Sequence, residues 1–175
     1  MPFPKIQEEC VIQKVGRVDE NSHREIEGFL DSLSEEKAFF RAGVSEIEKA
    51  EVLLAARVEE RMVGLYGIVR RFFRLPCVFV IVEKGYQRKG IGKLLHEARR
   101  PFCAKYLFLF SIVARANERA QKYFASVNEY KLYEDGQYVF YVSAQKRASL
   151  LFLPLLKRIF PVVLRIWRAF QPAMT

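Results

Sequence analysis

Residues 77–98 of this 175-residue chain have the sequence CVFVIVEKGYQRKGIGKLLHEA, and the rest of the fold is organised around this stretch. An apolar run, Cys77–Val82, is followed by a polar segment, by two glycines two positions apart, and by an amphipathic run. This order predicts a strand, a glycine turn and a helix that begins near Gly92. Because Gly90 and Gly92 have no Cβ atom, a ligand can approach the backbone closely there.

The start of the predicted helix is suited to bind a phosphate or pyrophosphate group. The first N–H groups of a helix have no carbonyl partner within it, and the helix dipole adds partial positive charge there. Arg88, Lys89 and Lys93 add full positive charges around this point. Two glycines alone are a weak signal, because an ordinary strand–helix turn shows the same pattern. The spacing matches neither the three-glycine dinucleotide fingerprint nor the Gly-Lys-Ser/Thr of a P-loop.

The residues around the glycines make the pattern more specific. The strand ends in Val82, and Tyr86, Gln87, two basic residues, the Gly-Ile-Gly segment 90–92 and a Leu-Leu pair follow it. This arrangement resembles the acetyl-CoA motif of the GNAT N-acetyltransferases, Gln/Arg-x-x-Gly-x-Gly/Ala after a strand ending in valine. The resemblance extends over about residues 8–145 and implies acetyl-CoA as co-substrate.

The resemblance also implies which residues hold acetyl-CoA. The strand before the glycine turn would pair exposed backbone groups with the pantetheine arm, and the turn would hold the pyrophosphate. The implied cofactor-binding residues are Ile81, Val82, Gln87, Arg88, Lys89, Gly90, Ile91, Gly92, Lys93, Asn117 and Phe124. The implied reaction is direct attack on the thioester by a primary amine of a small molecule or a peptide.

A second family motif, Asn-x-x-Ala-x-x-x-Tyr on the next helix, is matched in part. Asn117 and Ala120 match, but Phe124 occupies the tyrosine position and Tyr123 lies one residue earlier. In the family the Asn contacts the cofactor and the Tyr protonates the leaving sulfur. One residue turns a helical side chain by about 100°, so Tyr123 can take this role only where the helix is over- or underwound. We predict Tyr123 as the general acid and Phe124 as a packing contact.

A general base is not evident in the sequence. Many relatives carry a glutamate five residues before the Asn, where this chain has Ile112 with Ser111 beside it. The strand 77–82 contains no acid, and Glu83 at its end has the simpler interpretation of a surface carboxylate. A water-relayed base, or an amine that arrives neutral, would need no such residue. The alternative function is an acyl-CoA-binding module with the GNAT fold but no efficient catalysis, in a membrane-associated, interaction or regulatory role.

The hydrophobic patterns predict the element order β, α, α, β, β, β, α, β, α, β, β. The predicted strands are 10–18, 51–58, 62–70, 77–82, 107–114, 130–133 and 137–144. The predicted helices are 19–33, a second segment with Phe39, Phe40 and Val44, then 92–104 and 117–127. This is the GNAT order. It implies an α/β (α+β) fold with a mixed, mostly antiparallel sheet of about six to seven strands and helices on both faces.

The composition indicates a globular chain in a reducing compartment. Hydrophobic residues make up 51% and charged residues 28%, which suits one domain with a substantial core. Cys10, Cys77 and Cys103 lie far apart without metal-ligand spacing, which favours free thiols and predicts no metal. The N-terminal sequence MPFPKIQEEC has no signal-peptide pattern, so we expect a cytoplasmic protein.

The basic excess is concentrated in the C-terminal tail. The net charge is +9, and residues 146–175 contain six basic residues and no acidic one. A nucleic-acid-binding face is therefore not expected on the rest of the chain. We divide the chain into a GNAT acetyltransferase domain, 1–145, and a basic amphipathic C-terminal extension, 146–175.

Residues 150–170, LLFLPLLKRIFPVVLRIWRAF, predict an amphipathic helix. At about 100° per residue, an arc of about 100° holds four cations: Lys157, Arg158, Arg165 and Arg168. These charges argue against a membrane-spanning helix. Three alternatives remain for residues 148–170: binding to an anionic membrane surface at the inner face, docking on the chain's own domain, or docking on a second subunit in a homodimer.

Overall fold

The computed structural model describes residues 10–16, 18–33, 44–71, 74–127 and 129–169. Of residues 167–169 it describes only the backbone. The segment with Phe39 and Phe40 lies outside the described residues. The strands are β1 Val11–Lys14, β2 Val52–Val58, β3 Arg61–Arg71, β4 Leu75–Val82, β5 Phe108–Ala114, β6 Tyr130–Glu134 and β7 Tyr138–Ala144. The α-helices are α1 Glu20–Ser32, α2 Val44–Ile47, α3 Ile91–Ala98, α4 Arg100–Cys103, α5 Glu118–Ser126 and α6 Leu153–Ala169, with 3-10 turns at Lys84–Tyr86 and Arg147–Phe152.

The strands form a seven-stranded sheet in the order β1-β2-β3-β4-β5-β7-β6. The pairs β1–β2, β2–β3, β5–β7 and β6–β7 are antiparallel. The predicted α+β fold with a mixed, mostly antiparallel sheet is confirmed. One predicted helix, 92–104, is instead divided at Arg99 into α3 and α4. Pro101 accounts for the division, because it has no N–H to continue the helical hydrogen bonds and its ring clashes with the preceding turn.

The first of two compact units contains β1, β2, nearly all of β3, most of β4 and the helices α1–α4. Helix α1 begins after Asp19, whose carboxylate accepts a hydrogen bond from the Ser22 N–H at 2.8 Å. Strands β2 and β3 are joined by Glu59 and Glu60, which have φ values of 49° and 63°. Positive φ at both turn residues gives the two-residue hairpin turn whose twist suits antiparallel strands.

Helix α3 packs closely on β3 because β3 carries a glycine at the contact. A Cβ atom on Gly64 would lie 3.2 Å from the Ile81 carbonyl oxygen, 3.3 Å from Cδ1 of Leu95 and 3.4 Å from Cγ2 of Ile91. Ile91 and Leu95 are the buried residues of α3. The glycine therefore allows the start of α3 to lie against β3 beside the end of β4.

The second compact unit contains β5, β6, β7 and the helices α5 and α6. Adjacent residues of a strand point to opposite faces, so Phe140 and Tyr141 of β7 face opposite sides. Phe124 of α5 stacks on Tyr141, with ring centroids 5.6 Å apart. Phe160 of α6 packs against Phe140 at 5.3 Å and against Phe110 at 5.9 Å. Helices therefore cover both faces of these strands, and one face of the C-terminal helix docks on its own unit.

Candidate active site

The glycine turn is tied to the end of β4 by the side chain of Gln87. Its Nε2 atom donates a hydrogen bond to the Val82 carbonyl oxygen at 2.9 Å. The 3-10 turn between them is closed by the Tyr86 N–H, which donates to the Glu83 carbonyl at 2.9 Å. Ile81 is buried and Val82 is partly buried at this strand end. The structure therefore brings Ile81, Val82 and the turn 87–93 together in one continuous stretch.

The turn has a backbone conformation that favours glycine. Gly90 has φ 84°, in the left-handed region, and Arg88 before it has φ 62°. Helix α3 begins at Ile91, one residue before the predicted start, because Gly90 takes the N-cap position. As Gly90 has no side chain, the N-cap residue itself makes no side-chain cap hydrogen bond. This arrangement is the one expected where a ligand anion supplies the cap.

Positive side chains surround the turn. Arg88 and Lys93 are exposed, and the Nζ atom of Lys89 lies 4.9 Å from the centre of the Tyr86 ring. Glu83, the acid that precedes the turn, accepts a hydrogen bond from NH2 of Arg61 at 2.8 Å. Glu83 is thus held by an ion pair within its own unit, and only 18% of its side chain is exposed, so it is partly buried and not the surface carboxylate that the sequence suggested.

Asn117 caps α5 at its N-terminus. Its Oδ1 atom accepts a hydrogen bond from the Ala120 N–H at 3.0 Å. The Asn-x-x-Ala spacing is therefore also a capping arrangement, in which the asparagine oxygen satisfies a helix N–H group. This bond uses only the oxygen, so the Asn117 side-chain NH₂ group can still donate to a ligand.

The two aromatic residues near the end of α5 have different environments. Helix α5 extends from Glu118 to Ser126 and contains both residues. Phe124 is buried, whereas Tyr123 is partly exposed with its ring edge-on to Phe124, at 5.2 Å and 69°. The predicted packing role suits Phe124, and the hydroxyl of Tyr123 lies on a neighbouring face of the helix.

A buried acid that the sequence analysis did not identify lies beside β5. Glu129 is 6% exposed, and its Oε2 atom accepts a hydrogen bond from Oγ of Ser111, which is fully buried, at 2.8 Å. Its backbone N–H donates to the Phe124 carbonyl at 3.1 Å. The sequence signal was the replacement of the family's Gly-Phe by Asn128-Glu129-Tyr130, which places an acid where the chain leaves α5.

In the first unit, His96 forms a polar cluster with Arg99 and Tyr66. Its Nε2 atom lies 2.9 Å from NH2 of Arg99, and NH1 of Arg99 lies 3.3 Å from the Tyr66 hydroxyl. Arg99 can only donate, so Nε2 accepts and the imidazole is neutral. Burial, followed by the charges of Arg99 and Arg100, lowers the pKa of His96 to about 4. The contacts indicate a packing role.

Within the described ranges, no group of three or more His, Cys, Asp or Glu side chains is placed to hold a metal ion.

The comparisons with known proteins agree with this architecture. The sequence matches a family model described as an acetyltransferase (GNAT) domain over residues 17–154. No curated protein sequence matches this chain.

Solved structures with this fold cover most of the chain. A protein from Pyrococcus horikoshii OT3 is 22% identical, with a TM-score of 0.64 over 79% of this chain and 99% of that one. A GNAT-family acetyltransferase from Streptococcus pneumoniae is 16% identical, with a TM-score of 0.61 over 78% and 99%. The ribosomal-protein-S18-alanine N-acetyltransferase from Escherichia coli is 13% identical, with a TM-score of 0.59 over 78% and 94%.

Proposed function

We propose that this chain, which belongs to the GNAT acetyltransferase family, transfers an acetyl group from acetyl-CoA to a primary amine of a small molecule or a peptide. The observation that carries the proposal is the start of α3. Gly90 takes a left-handed N-cap position without a side chain, and exposed Arg88 and Lys93 flank it. A helix N-terminus with this geometry binds pyrophosphate through its N–H groups, its dipole and the nearby cations.

We propose that the end of β4 binds the pantetheine arm, as the family resemblance implies. An amide-bearing arm can add itself to a strand edge by main-chain hydrogen bonds. Ile81 and Val82 end β4 where the turn begins, so an acyl-CoA bound by its pyrophosphate at Gly90 would extend along these residues. Gln87 holds the Val82 carbonyl at a fixed position through the 2.9 Å hydrogen bond and so keeps strand and turn in register.

The reaction requires one bond exchange and two proton movements. The amine nitrogen forms a C–N bond with the thioester carbonyl carbon, and the C–S bond breaks. The nitrogen loses a proton, and coenzyme A leaves as a thiolate that takes one up. We propose the Tyr123 hydroxyl as the donor of that second proton. Support for this role comes from its partly exposed ring beside Phe124, at the end of the helix that Asn117 begins.

The amine must be neutral when it attacks. Glu83 is engaged by Arg61, and Glu129 is buried against Ser111, so neither is suited to take a proton from a solvent-borne amine. We propose that a water relay removes the proton or that the amine binds in its neutral form. Catalysis should therefore increase with pH as the acceptor amine deprotonates.

Calorimetry with acetyl-CoA tests the cofactor site. Gly90→Asp places a negative charge at the N-cap, where it competes with the pyrophosphate, and should abolish measurable binding. Gly90→Asn is the matched control, because Asn tolerates the left-handed conformation and is neutral. It should bind acetyl-CoA more tightly than Gly90→Asp. Absence of binding by the unmodified chain would overturn the proposal, as would equal affinities for the two variants.

A thiol-release assay tests the reaction. The substrates are a panel of polyamines, amino acids, peptides and aminoglycosides at saturating acetyl-CoA, and turnover of at least one amine is expected. The alternative is an acyl-CoA-binding module without efficient catalysis, favoured by Phe124 at the family tyrosine position and Ile112 at the glutamate position. Binding of acetyl-CoA without turnover of any amine would support that alternative.

A further inference from the structure

The C-terminal helix α6 has two apolar sectors, of which only one is docked. Leu153, Phe160 and Leu164 are buried, and Phe160 packs against Phe140 and Phe110. At about 100° per residue these three residues fall within about 40° of one another. Their burial and the two ring contacts of Phe160 indicate that this sector docks on the second unit.

The second apolar sector faces solvent. Its members are large aliphatic residues that are each about half exposed: Leu155 at 54%, Ile159 at 45%, Val162 at 54% and Ile166 at 48%. They fall within about 60° of one another, and their centre lies about 150° from the docked sector. Just before the helix, Leu151 is 81% exposed and Phe152 is 57% exposed. An exposed apolar strip made of several large side chains marks an interaction surface.

Basic residues line one edge of this strip. Arg158 and Arg165 are exposed and lie on the same flank, about 80° from the centre of the apolar sector. Lys157 is also exposed, as are Lys146 and Arg147 before the helix. Residues 146–175 contain no acidic residue, so the strip and its flank present only apolar and positive groups.

This charge pattern disfavours a second copy of the helix as the occupant. The spacing 155, 159, 162, 166 would suit helix pairing, but an antiparallel pair would bring Arg158 against Arg165 of the other copy. In a parallel pair the same flank would face Leu156 and Val163, which carry no charge. An anionic lipid surface instead receives the apolar strip and attracts the basic flank at the same time.

We propose that α6 holds the protein on the surface of an anionic lipid bilayer, with Leu155, Ile159, Val162 and Ile166 entering the headgroup–acyl boundary. The helix would lie in the plane of the surface with its docked sector still on the second unit. Among the described helices, none has both the length and the apolar character needed to cross a bilayer. The proposal concerns attachment alone and does not depend on the proposed acetyl transfer.

Vesicle co-sedimentation of the full chain tests the proposal, with phosphatidylcholine vesicles and with vesicles containing phosphatidylserine. Sedimentation is expected with the anionic vesicles. The double variant Ile159→Ser/Val162→Ser should reduce the partition coefficient at least tenfold, because two buried aliphatic side chains are lost. Arg158→Gln/Arg165→Gln should reduce it on anionic vesicles by about fivefold per charge removed, and hardly at all on neutral ones.

Leu107→Ser is the matched control. Leu107 is 59% exposed but lies outside α6, so this variant should sediment like the unmodified chain. All variants alter exposed residues and should keep their melting temperatures. Raising the salt from 0.1 M to 0.5 M should weaken binding, because exposed charges are then more strongly screened.

Three results would overturn the proposal. The first is that the unmodified chain does not sediment with anionic vesicles. The second is that Ile159→Ser/Val162→Ser sediments as well as the unmodified chain. The third is a dimer in light scattering that this double variant converts to a monomer while vesicle binding is absent, which would assign the strip to a second copy.

Discussion

Phe124 of α5 stacks on Tyr141 of β7, with ring centroids 5.6 Å apart and ring planes 24° apart. Phe124 stands where the family motif places its tyrosine, and it is 6% exposed. Burial also raises the pKa of the Tyr141 hydroxyl. The position that the family motif gives to tyrosine is therefore an aromatic packing contact here, and the partly exposed Tyr123 lies beside it.

The first prediction separates these two side chains. Tyr123→Phe keeps the ring and removes the proton donor, so kcat should fall about 10²-fold while stability is retained. Phe124→Leu should lower the free energy of unfolding by about 1 kcal/mol, because the stacking on Tyr141 is lost. Its kcat should change less than that of Tyr123→Phe. Steady-state kinetics and urea denaturation measure both effects. A larger fall in kcat for Phe124→Leu than for Tyr123→Phe would remove Tyr123 from the mechanism.

The second prediction concerns two glycines with opposite surroundings. A Cβ atom on Gly67 would lie 2.3 Å from Cζ of Phe79, so Gly67→Ala should destabilise the fold by about 1–3 kcal/mol through overpacking. Around Gly28, in the exposed face of α1, a Cβ would meet nothing within 4 Å. Gly28→Ala should stabilise the fold by about 0.5–1 kcal/mol, because Ala has the higher helix propensity.

Thermal and urea denaturation of these two alanine variants provide the comparison. Phe79→Leu should relieve part of the cost of Gly67→Ala in the double variant, since the clashing ring is removed. Two alanine variants of equal stability would contradict the packing of β3 against Phe79.

The features that the sequence predicted correctly are carried by local patterns. The strand, turn and helix around Gly90 and Gly92 can be predicted from neighbouring residues alone, because an apolar run precedes the glycines and an amphipathic run follows them. Helix α3 begins at Ile91, one residue before the predicted Gly92, because an N-cap is set by backbone conformation and Gly90 adopts the left-handed region.

The docked sector of α6 could not be predicted in the same way. Phe160 and Ile159 are both apolar, and only contacts with Phe110 and Phe140, distant in sequence, distinguish the buried residue from the exposed one. The Ser111–Glu129 contact likewise joins residues 18 positions apart, and no periodicity specifies it.

The third prediction is a double-mutant cycle on Ser111 and Glu129. Ser111→Ala should lower the free energy of unfolding by about 1–3 kcal/mol, because a buried acceptor loses its donor. The effect of Glu129→Gln should be smaller in the Ser111→Ala background than in the unmodified chain, since the same contact is already lost. Urea denaturation of the four proteins gives the coupling energy, expected at about 0.5–3 kcal/mol for residues in contact. Additive effects would show that the two side chains do not interact.

The fourth prediction is a pH dependence of stability that comes from His96. Its pKa is lowered to about 4 in the folded protein, against 6.5 for the free side chain. Between these values the unfolded chain binds a proton that the folded chain does not, so the free energy of unfolding falls as the pH decreases from 6.5 toward 4. One proton limits this slope to about 1.4 kcal/mol per pH unit. Protonation would also remove the acceptor at Nε2 that Arg99 uses.

His23 has the opposite effect on the pH dependence of the free energy of unfolding. The hydrogen bond with Glu48 raises the pKa of His23, so its contribution to stability is present below pH 6.5 and lost as the pH rises through its folded pKa. Urea denaturation between pH 5 and 7.5 should therefore show a flatter curve for His96→Gln, which keeps an acceptor for Arg99 but does not titrate. His23→Gln should instead show a steeper fall in stability toward acid, because the compensating group is absent. Equal slopes for His96→Gln and the unmodified chain between pH 5 and 6.5 would mean that His96 titrates alike in the folded and unfolded states.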